Sequence, residues 1–252
     1  MNPNALEAAR EALAGRTNSF LFDFDSTLVS IETLDTLLKR AAGDEETRRK
    51  IDDITARAMN GELDFDTSLR SRLRAAGARA EHFAQMAAGI TDFLTPGIED
   101  AVSFLRSRGQ DVFILSGGFR EIVLPAARRL GISEENCLAN DYITDADGRV
   151  SGAKENPLAH EGGKKLAVRA LRERGRLRGT VVMLGDGMSD YDVYAEGLAG
   201  LFVGCGFHAV RPNVKAATAK AASAVFAETA GELLSFLYGL FGEPRPRGRR
   251  CR

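Results

Sequence analysis

Three short apolar runs each stop at a residue able to do chemistry, and this pattern constrains the fold more than any other feature. Phe20-Leu21-Phe22 ends at Asp23, Phe113-Ile114-Leu115 at Ser116, and Val182-Met183-Leu184 at Gly185-Asp186. Helical patterns separate them: one over residues 98–108 before the second run, others over 119–130 and 163–174 after it. Further short apolar runs at 198–203 and 222–226 read as two more strands. Strands alternating with helices predict an α/β fold, a doubly wound parallel sheet with helices on both faces. Such sheets bind ligands beyond the carboxyl ends of their strands. Asp23, Ser116 and Asp186 therefore converge on one rim although they are far apart in sequence. Lys164, at the start of a helix after Gly162-Gly163, reaches the same rim.

Residues 32–91 break the alternation. They are helical, strongly charged and poor in β-branched residues, and too long for a simple crossover. The segment is expected to be an inserted helical cap on a core made of residues 1–31 and 92–242. Thr95-Pro96-Gly97 marks the return. An amphipathic helix is expected over residues 4–14, and Asp147-Gly148 between short alternating runs predicts a hairpin. The tail, residues 243–252, is rich in Arg and Pro and is expected to be disordered.

Composition removes several function classes. The 252 residues carry a formal net charge of −1, 44% hydrophobic and 27% charged residues. That balance excludes disorder and a generally basic nucleic-acid binder. No apolar run reaches the roughly 18 residues of a membrane span. Glu7, Arg10 and Glu11 stand where a signal peptide needs an apolar centre, so the expected location is cytoplasmic. Cys137, Cys205 and Cys251 form neither a disulfide framework nor a metal pair, and the three histidines are equally scattered.

Aspartates, a hydroxyl and a lysine on one rim suit a divalent metal and a phosphate. Asp23 and Asp25 sit two apart where a strand is ending, so they can straddle a reacting centre. One carboxylate can attack phosphorus while the other handles the leaving-group proton. Two other patterns compete weakly. Gly204-Cys-Gly-Phe-His-Ala209 fits a dinucleotide fingerprint but lies late in the chain, and such a fingerprint alone is weak. Gly163-Lys164 lacks the first glycine of a P-loop, since Leu158 stands there.

Asp23-Phe-Asp-Ser-Thr27, Ser116-Gly-Gly118, Lys164 and Gly185-Asp-Gly-Met-Ser-Asp190 together resemble the four motifs of the haloacid dehalogenase superfamily of phosphatases. Longer matches at residues 23–35, 55–72, 94–98, 113–123 and 162–164 resemble its phosphoserine phosphatase branch, and the likeness runs from about residue 18 to 226. The resemblance implies hydrolysis of a small phosphomonoester, O-phospho-L-serine first, in serine biosynthesis. It implies Asp23 as nucleophile, Asp25 as acid and then base, Ser116 and the Gly117 N–H as phosphate ligands, and Lys164 as the neutralising cation. It implies Mg²⁺ held by Asp23, the Asp25 carbonyl and Asp186, with Asp190 behind them. In the cap, Glu32 would meet an ammonium group and Arg72 a carboxylate. Met59, Gly61 and Phe65 would line the pocket, with Ser189 nearby. No nucleic-acid or membrane partner is expected. Glu161 stands where the family often has a small polar residue before Gly162-Gly163-Lys164, with His160 nearby, and its added negative charge near Lys164 bears on specificity. The same chemistry on another small phosphomonoester, or phosphotransfer to an organic hydroxyl, stays open at this point.

Overall fold

The computed structural model describes residues 3–60 and 62–244. The chain begins with α1 (Pro3–Leu13) and β1 (Ser19–Phe22). The segment read as a cap holds four helices, α2 (Thr33–Ala41), α3 (Glu45–Met59), α4 (Phe65–Ala76) and α5 (Ala80–Gly89). The chain then forms α6 (Ile98–Ser107), β2 (Asp111–Phe119), α7 (Arg120–Arg129), β3 (Cys137–Asn140) and a hairpin of β4 (Tyr142–Thr144) and β5 (Val150–Ala153). It ends with α8 (Gly163–Glu173), β6 (Val181–Gly185), α9 (Met188–Ala195), β7 (Leu201–Cys205), α10 (Pro212–Lys220), β8 (Ala224–Ala227) and α11 (Ala230–Leu240).

Six strands form one parallel sheet in the order β3-β2-β1-β6-β7-β8. β1 lies between β2 and β6 and is buried along its whole length. A strand covered on both faces needs no polar alternation, which explains the unbroken Phe-Leu-Phe. Its side chains still alternate. Phe20 and Phe22 pack with Ile114, Val182 and Leu184 under α1, α6, α7 and α11. Leu21 turns to the other face, with Phe113 and Met183 under α8, α9 and α10. The sheet is thus doubly wound, as expected.

The first of these two cores continues without a break into the helices of residues 32–91, through Leu37, Leu38, Ile51, Leu69, Leu73, Phe83 and Met86. Asp44 and Asp64 start α3 and α4 by accepting from Thr47 N and Thr67 N at 2.7 and 2.9 Å. The two crossings between sheet and helical segment lie side by side. Val29 and Leu94 form an antiparallel bridge, and Ser30 N donates to Phe93 O at 2.8 Å. The β4–β5 hairpin docks on the same helices, Val150 N donating to Ala78 O at 2.8 Å.

β2 differs from expectation. It runs past Ser116 to Phe119, with a register shift against β3 between Leu115 and Phe119. Asn140 Nδ2 donates to Gly117 O at 2.8 Å, so a side chain holds the irregular stretch. β7 also starts later than expected, because Leu198 N and Ala199 N still close α9 onto Val193 O. No helix among the described residues is long and apolar enough to cross a membrane. The expectation for the tail falls on residues 245–252, outside the described residues, apart from Glu243 and Pro244.

Candidate active site

Asp23 leaves β1 with its N–H donating to Leu184 O of β6 at 2.8 Å, so the sheet fixes its backbone. An irregular turn, Phe24–Leu28, follows, in which Asp25 and Ser26 have non-helical backbone angles. Ser26 within it has φ of 53° and is the one non-glycine residue with positive φ among the described residues. This left-handed step folds the chain back on itself, and Ser26 N reaches Ile31 O at 3.2 Å. The return brings Thr33 N to Asp25 Oδ1 at 2.9 Å and Glu32 Oε1 to the Ser26 hydroxyl at 2.8 Å. Asp25 Oδ1 is therefore held by the first turn of α2.

Lys164 arrives from the other side of the sheet. Its ammonium lies 2.7 Å from Asp23 Oδ1 and 2.6 Å from Asp190 Oδ1. Gly163 permits this approach, since a Cβ there would lie 2.1 Å from Pro157 O. Asp190, in the first turn of α9, also accepts from Gly187 N at 3.1 Å. Gly185 is equally forced: a Cβ would lie 2.2 Å from Asp190 Cγ. The Ser116 hydroxyl is buried and accepts from Gly118 N at 2.9 Å. A Cβ on Gly118 would lie 3.1 Å from that hydroxyl and 3.5 Å from Asp25 Oδ2, which brings β2 to the same rim.

The rim carries more negative charge than its cations balance. Burial, then the neighbouring Glu32 and Asp23, push the Asp25 carboxyl up to about 7, against the hydrogen bond from Thr33. Burial and Asp23 push Asp186 up to about 6, against Arg211. Asp190 is raised by burial and Asp23, against Lys164. Burial alone would lower Lys164, but Asp190 and Asp23 outweigh it and hold the ammonium charged. Asp23, Asp186 and Asp190 offer three carboxylate oxygens within 4.8 Å of one another, all buried. An all-oxygen cluster with surplus negative charge fits a hard divalent cation.

The residues expected around the substrate are only partly brought together. Phe65 and Arg72 line one cleft of about 550 Å³ with Thr55, Asp64, Ser68 and Glu161. Glu32 and Arg72 do not pair. Arg72 Nη1 donates to Asp35 Oδ1 at 3.0 Å, and Glu32 is held by Ser26 and Arg211. Gly117 is exposed on the rim, and Ser189 is exposed at the start of α9. The Met59 side chain and Gly61 lie outside the described residues.

Comparison with known proteins shows the family. Residues 17–196 match the model of the haloacid dehalogenase-like hydrolases. The human phosphoserine phosphatase is 35% identical over 213 residues, 84% of this chain and 91% of its own. The chloroplastic phosphoserine phosphatase of Arabidopsis thaliana is 36% identical over 183 residues, 72% of this chain, and the chain spans 60% of that relative's length. A solved structure described as a phospho-aspartyl intermediate analogue of phosphoserine phosphatase superposes with a TM-score of 0.68 at 28% identity, covering 88% of this chain and 99% of its own. The chain belongs to the haloacid dehalogenase-like hydrolases. It sits among their phosphatases.

This hydrolase has rim residues that its motifs do not announce. Arg211, between β7 and α10, donates through Nε to Asp186 Oδ2 at 2.6 Å and through Nη2 to Glu32 Oε1 at 3.2 Å. His208 of the same loop lies 2.8 Å from Thr95 Oγ1, whose hydroxyl donates to Thr27 O at 2.8 Å. The available signal for both was positional: they follow a further strand of the parallel sheet, at the same end as Asp23. The glycines of the fingerprint-like loop have a packing role. A Cβ on Gly204 or on Gly206 would lie 2.7 Å from the Phe226 ring.

Proposed function

We propose that this hydrolase is a magnesium-dependent phosphoserine phosphatase, converting O-phospho-L-serine and water to L-serine and phosphate. The observation that carries the reading is the Lys164 ammonium, 2.7 Å from Asp23 and 2.6 Å from Asp190, on the rim that also holds the buried Asp25 carboxyl. Names and sequence likeness of the relatives support the substrate.

Asp23 is the nucleophile. Its carboxylate oxygen bonds to phosphorus as the bond from phosphorus to the serine oxygen breaks. Asp25 gives its proton to that departing oxygen; a carboxyl group with a pKa near 7 is suited to hold one at neutral pH. Serine leaves, and Asp25 then takes a proton from the water that attacks phosphorus. Phosphate departs and the Asp23 carboxylate is restored. Ser116 and the Gly117 N–H hold phosphate oxygens through both steps. Lys164 pairs with Asp23 and offsets charge on the phosphoryl group. Asp23, Asp186 and the Asp25 carbonyl would hold Mg²⁺, with Asp190 behind them, and the ion supplies positive charge at the phosphoryl oxygens. In the cap, Glu32 faces the ammonium and Arg72 the carboxylate, with Phe65 between.

Phosphate release from a panel of monoesters, with Mg²⁺ or EDTA and with Asp23→Asn as control, tests the reading. Preference for phosphoserine, abolished by EDTA and by the substitution, is the expected result. Turnover of aryl or sugar phosphates without phosphoserine would keep the chemistry and overturn the substrate. Transfer to an added alcohol in preference to water would reassign the enzyme as a phosphotransferase.

A further inference from the structure

We propose that the Ser68 hydroxyl, together with Arg72, holds the carboxylate of the amino-acid part of the substrate; this rests on the phosphoserine reading above. Among the described residues, Thr27 Oγ1, Ser68 Oγ and Arg72 Nε are the buried side-chain polar atoms with no hydrogen-bond partner. Two of them belong to α4, four residues apart, and so lie on one face of that helix. Both residues line the same cleft.

Apart from Glu161, the acceptor side chains that line or adjoin that cleft are already engaged. Asp35 takes Arg72 Nη1, and Asp64 caps α4 through Thr67 N at 2.9 Å and Thr67 Oγ1 at 2.6 Å. Thr55 spends its hydroxyl on Ile51 O at 2.9 Å. A buried donor without an acceptor is a standing cost to the free protein. Two such donors on one helix face, beside one cleft, fit a ligand that brings the acceptors with it. The edge of a guanidinium that includes Nε is suited to a carboxylate, which takes two parallel hydrogen bonds from it. Ser68 then supplies a third donor to the same group. Glu161, also lining the cleft, makes no hydrogen bond or ion pair among the described residues, and its charge favours a ligand that carries a cation beside its carboxylate. An α-amino acid does so. Ser68 is therefore a specificity residue for the amino-acid end of the substrate.

The test compares wild type, Ser68→Ala and Ser68→Thr on O-phospho-L-serine and on O-phosphoethanolamine, which has the phosphate and the ammonium but no carboxylate. Ser68→Ala is expected to raise KM for phosphoserine about tenfold, the effect of one hydrogen bond to a charged group, with kcat unchanged. Its kcat/KM on phosphoethanolamine stays at the wild-type value, and Ser68→Thr restores phosphoserine binding. Its Tm does not fall, because the free protein loses no hydrogen bond. An unchanged phosphoserine KM, or an equal loss on both substrates with a lower Tm, would overturn the proposal and make Ser68 a packing residue. Failure of the phosphoserine reading itself is visible in the wild type alone, as phosphate release from other esters without turnover of phosphoserine.

Discussion

Arg211 donates through Nε to Asp186 Oδ2 at 2.6 Å, so one carboxylate of the acidic cluster is held by an arginine from the β7–α10 loop. The same guanidinium reaches Glu32 at 3.2 Å. It bridges the cluster to the helical segment without belonging to any motif that identifies the family.

Removing that arginine leaves Asp186 and Glu32 without their shared cation. Arg211→Ala is expected to lower Tm in EDTA. Added Mg²⁺ then replaces the missing positive charge, so the metal-induced rise in Tm is larger in the variant than in wild type. Thermal unfolding of both proteins in EDTA and in Mg²⁺ checks this. Equal rises would show that Arg211 does not share the charge of the cluster.

Lys164 sits between two buried carboxylates, and its own side chain is only 11% exposed. Lys164→Ala strands Asp23 and Asp190 with uncompensated charge. Breaking a buried pair in this way costs about 3–5 kcal/mol of stability. On the proposed mechanism phosphate release falls at least ~100-fold, because a preorganised cation beside Asp23 is lost. Denaturant unfolding and steady-state assays on the same preparation separate the two losses.

Gly185 has a more local demand on it. A Cβ there would meet Asp190 Cγ at 2.2 Å, and Asp190 is pinned by Lys164 and Gly187 N. Gly185→Ala must push the carboxylate off Lys164. A loss of about 1–3 kcal/mol is expected, typical of overpacking, together with a fall in kcat that Mg²⁺ does not restore. Wild-type kcat in this variant would mean that the Asp190–Lys164 contact is dispensable.

Much of this site was legible because strand order and residue chemistry coincide. Asp23, Asp186 and Lys164 are placed by the simplest rule for parallel sheets, and the apolar runs before the two aspartates mark strands covered on both faces. Ser116 obeys the rule less well, because a bulge carries β2 beyond it, and a bulge held by Asn140 leaves no periodic signal. Arg211, beyond its position after a strand, and Ser26 were hard to read for different reasons. Arg211 acts through a long side chain from a loop, and an arginine before Pro212 looks like any helix start. Ser26 depends on a backbone angle that serine rarely adopts. Glu32 and Arg72 carry the right charges for the two ends of a zwitterion, but their partners within the protein, Ser26 and Arg211 for Glu32 and Asp35 for Arg72, are set by tertiary packing and leave no sequence signal.

Burial sets the reactivity of two cysteines. Cys137 is pushed up to about 11, chiefly by desolvation, and Cys205 is raised by the same cause with the acidic cluster beside it. The thiolate is the reactive form. At pH 8 a thiol with a pKa about three units higher is ionised in roughly one molecule per thousand. Both cysteines are therefore expected to resist alkylation in the native protein at pH 8, and to react after unfolding. Reactivity of Cys137 should rise only as pH approaches 11. Peptide mapping after iodoacetamide treatment checks this, and native labelling of Cys137 at pH 8 would contradict the buried edge-strand placement.

Ser26 combines a strained backbone with a useful hydroxyl, and two substitutions separate them. Its φ of 53° costs an L-residue about 1–2 kcal/mol, and its hydroxyl donates to Glu32 at 2.8 Å. Ser26→Ala keeps the strain and loses the hydrogen bond, so stability should fall by about 1 kcal/mol. Ser26→Gly loses the same bond but relaxes the backbone, so its Tm should lie close to wild type. Both release Glu32 from one of its two holders. If Glu32 faces the ammonium of the substrate, both variants raise KM for phosphoserine by a similar factor despite their different stabilities. A KM that instead follows Tm would tie Ser26 to the turn alone and remove Glu32 from substrate binding.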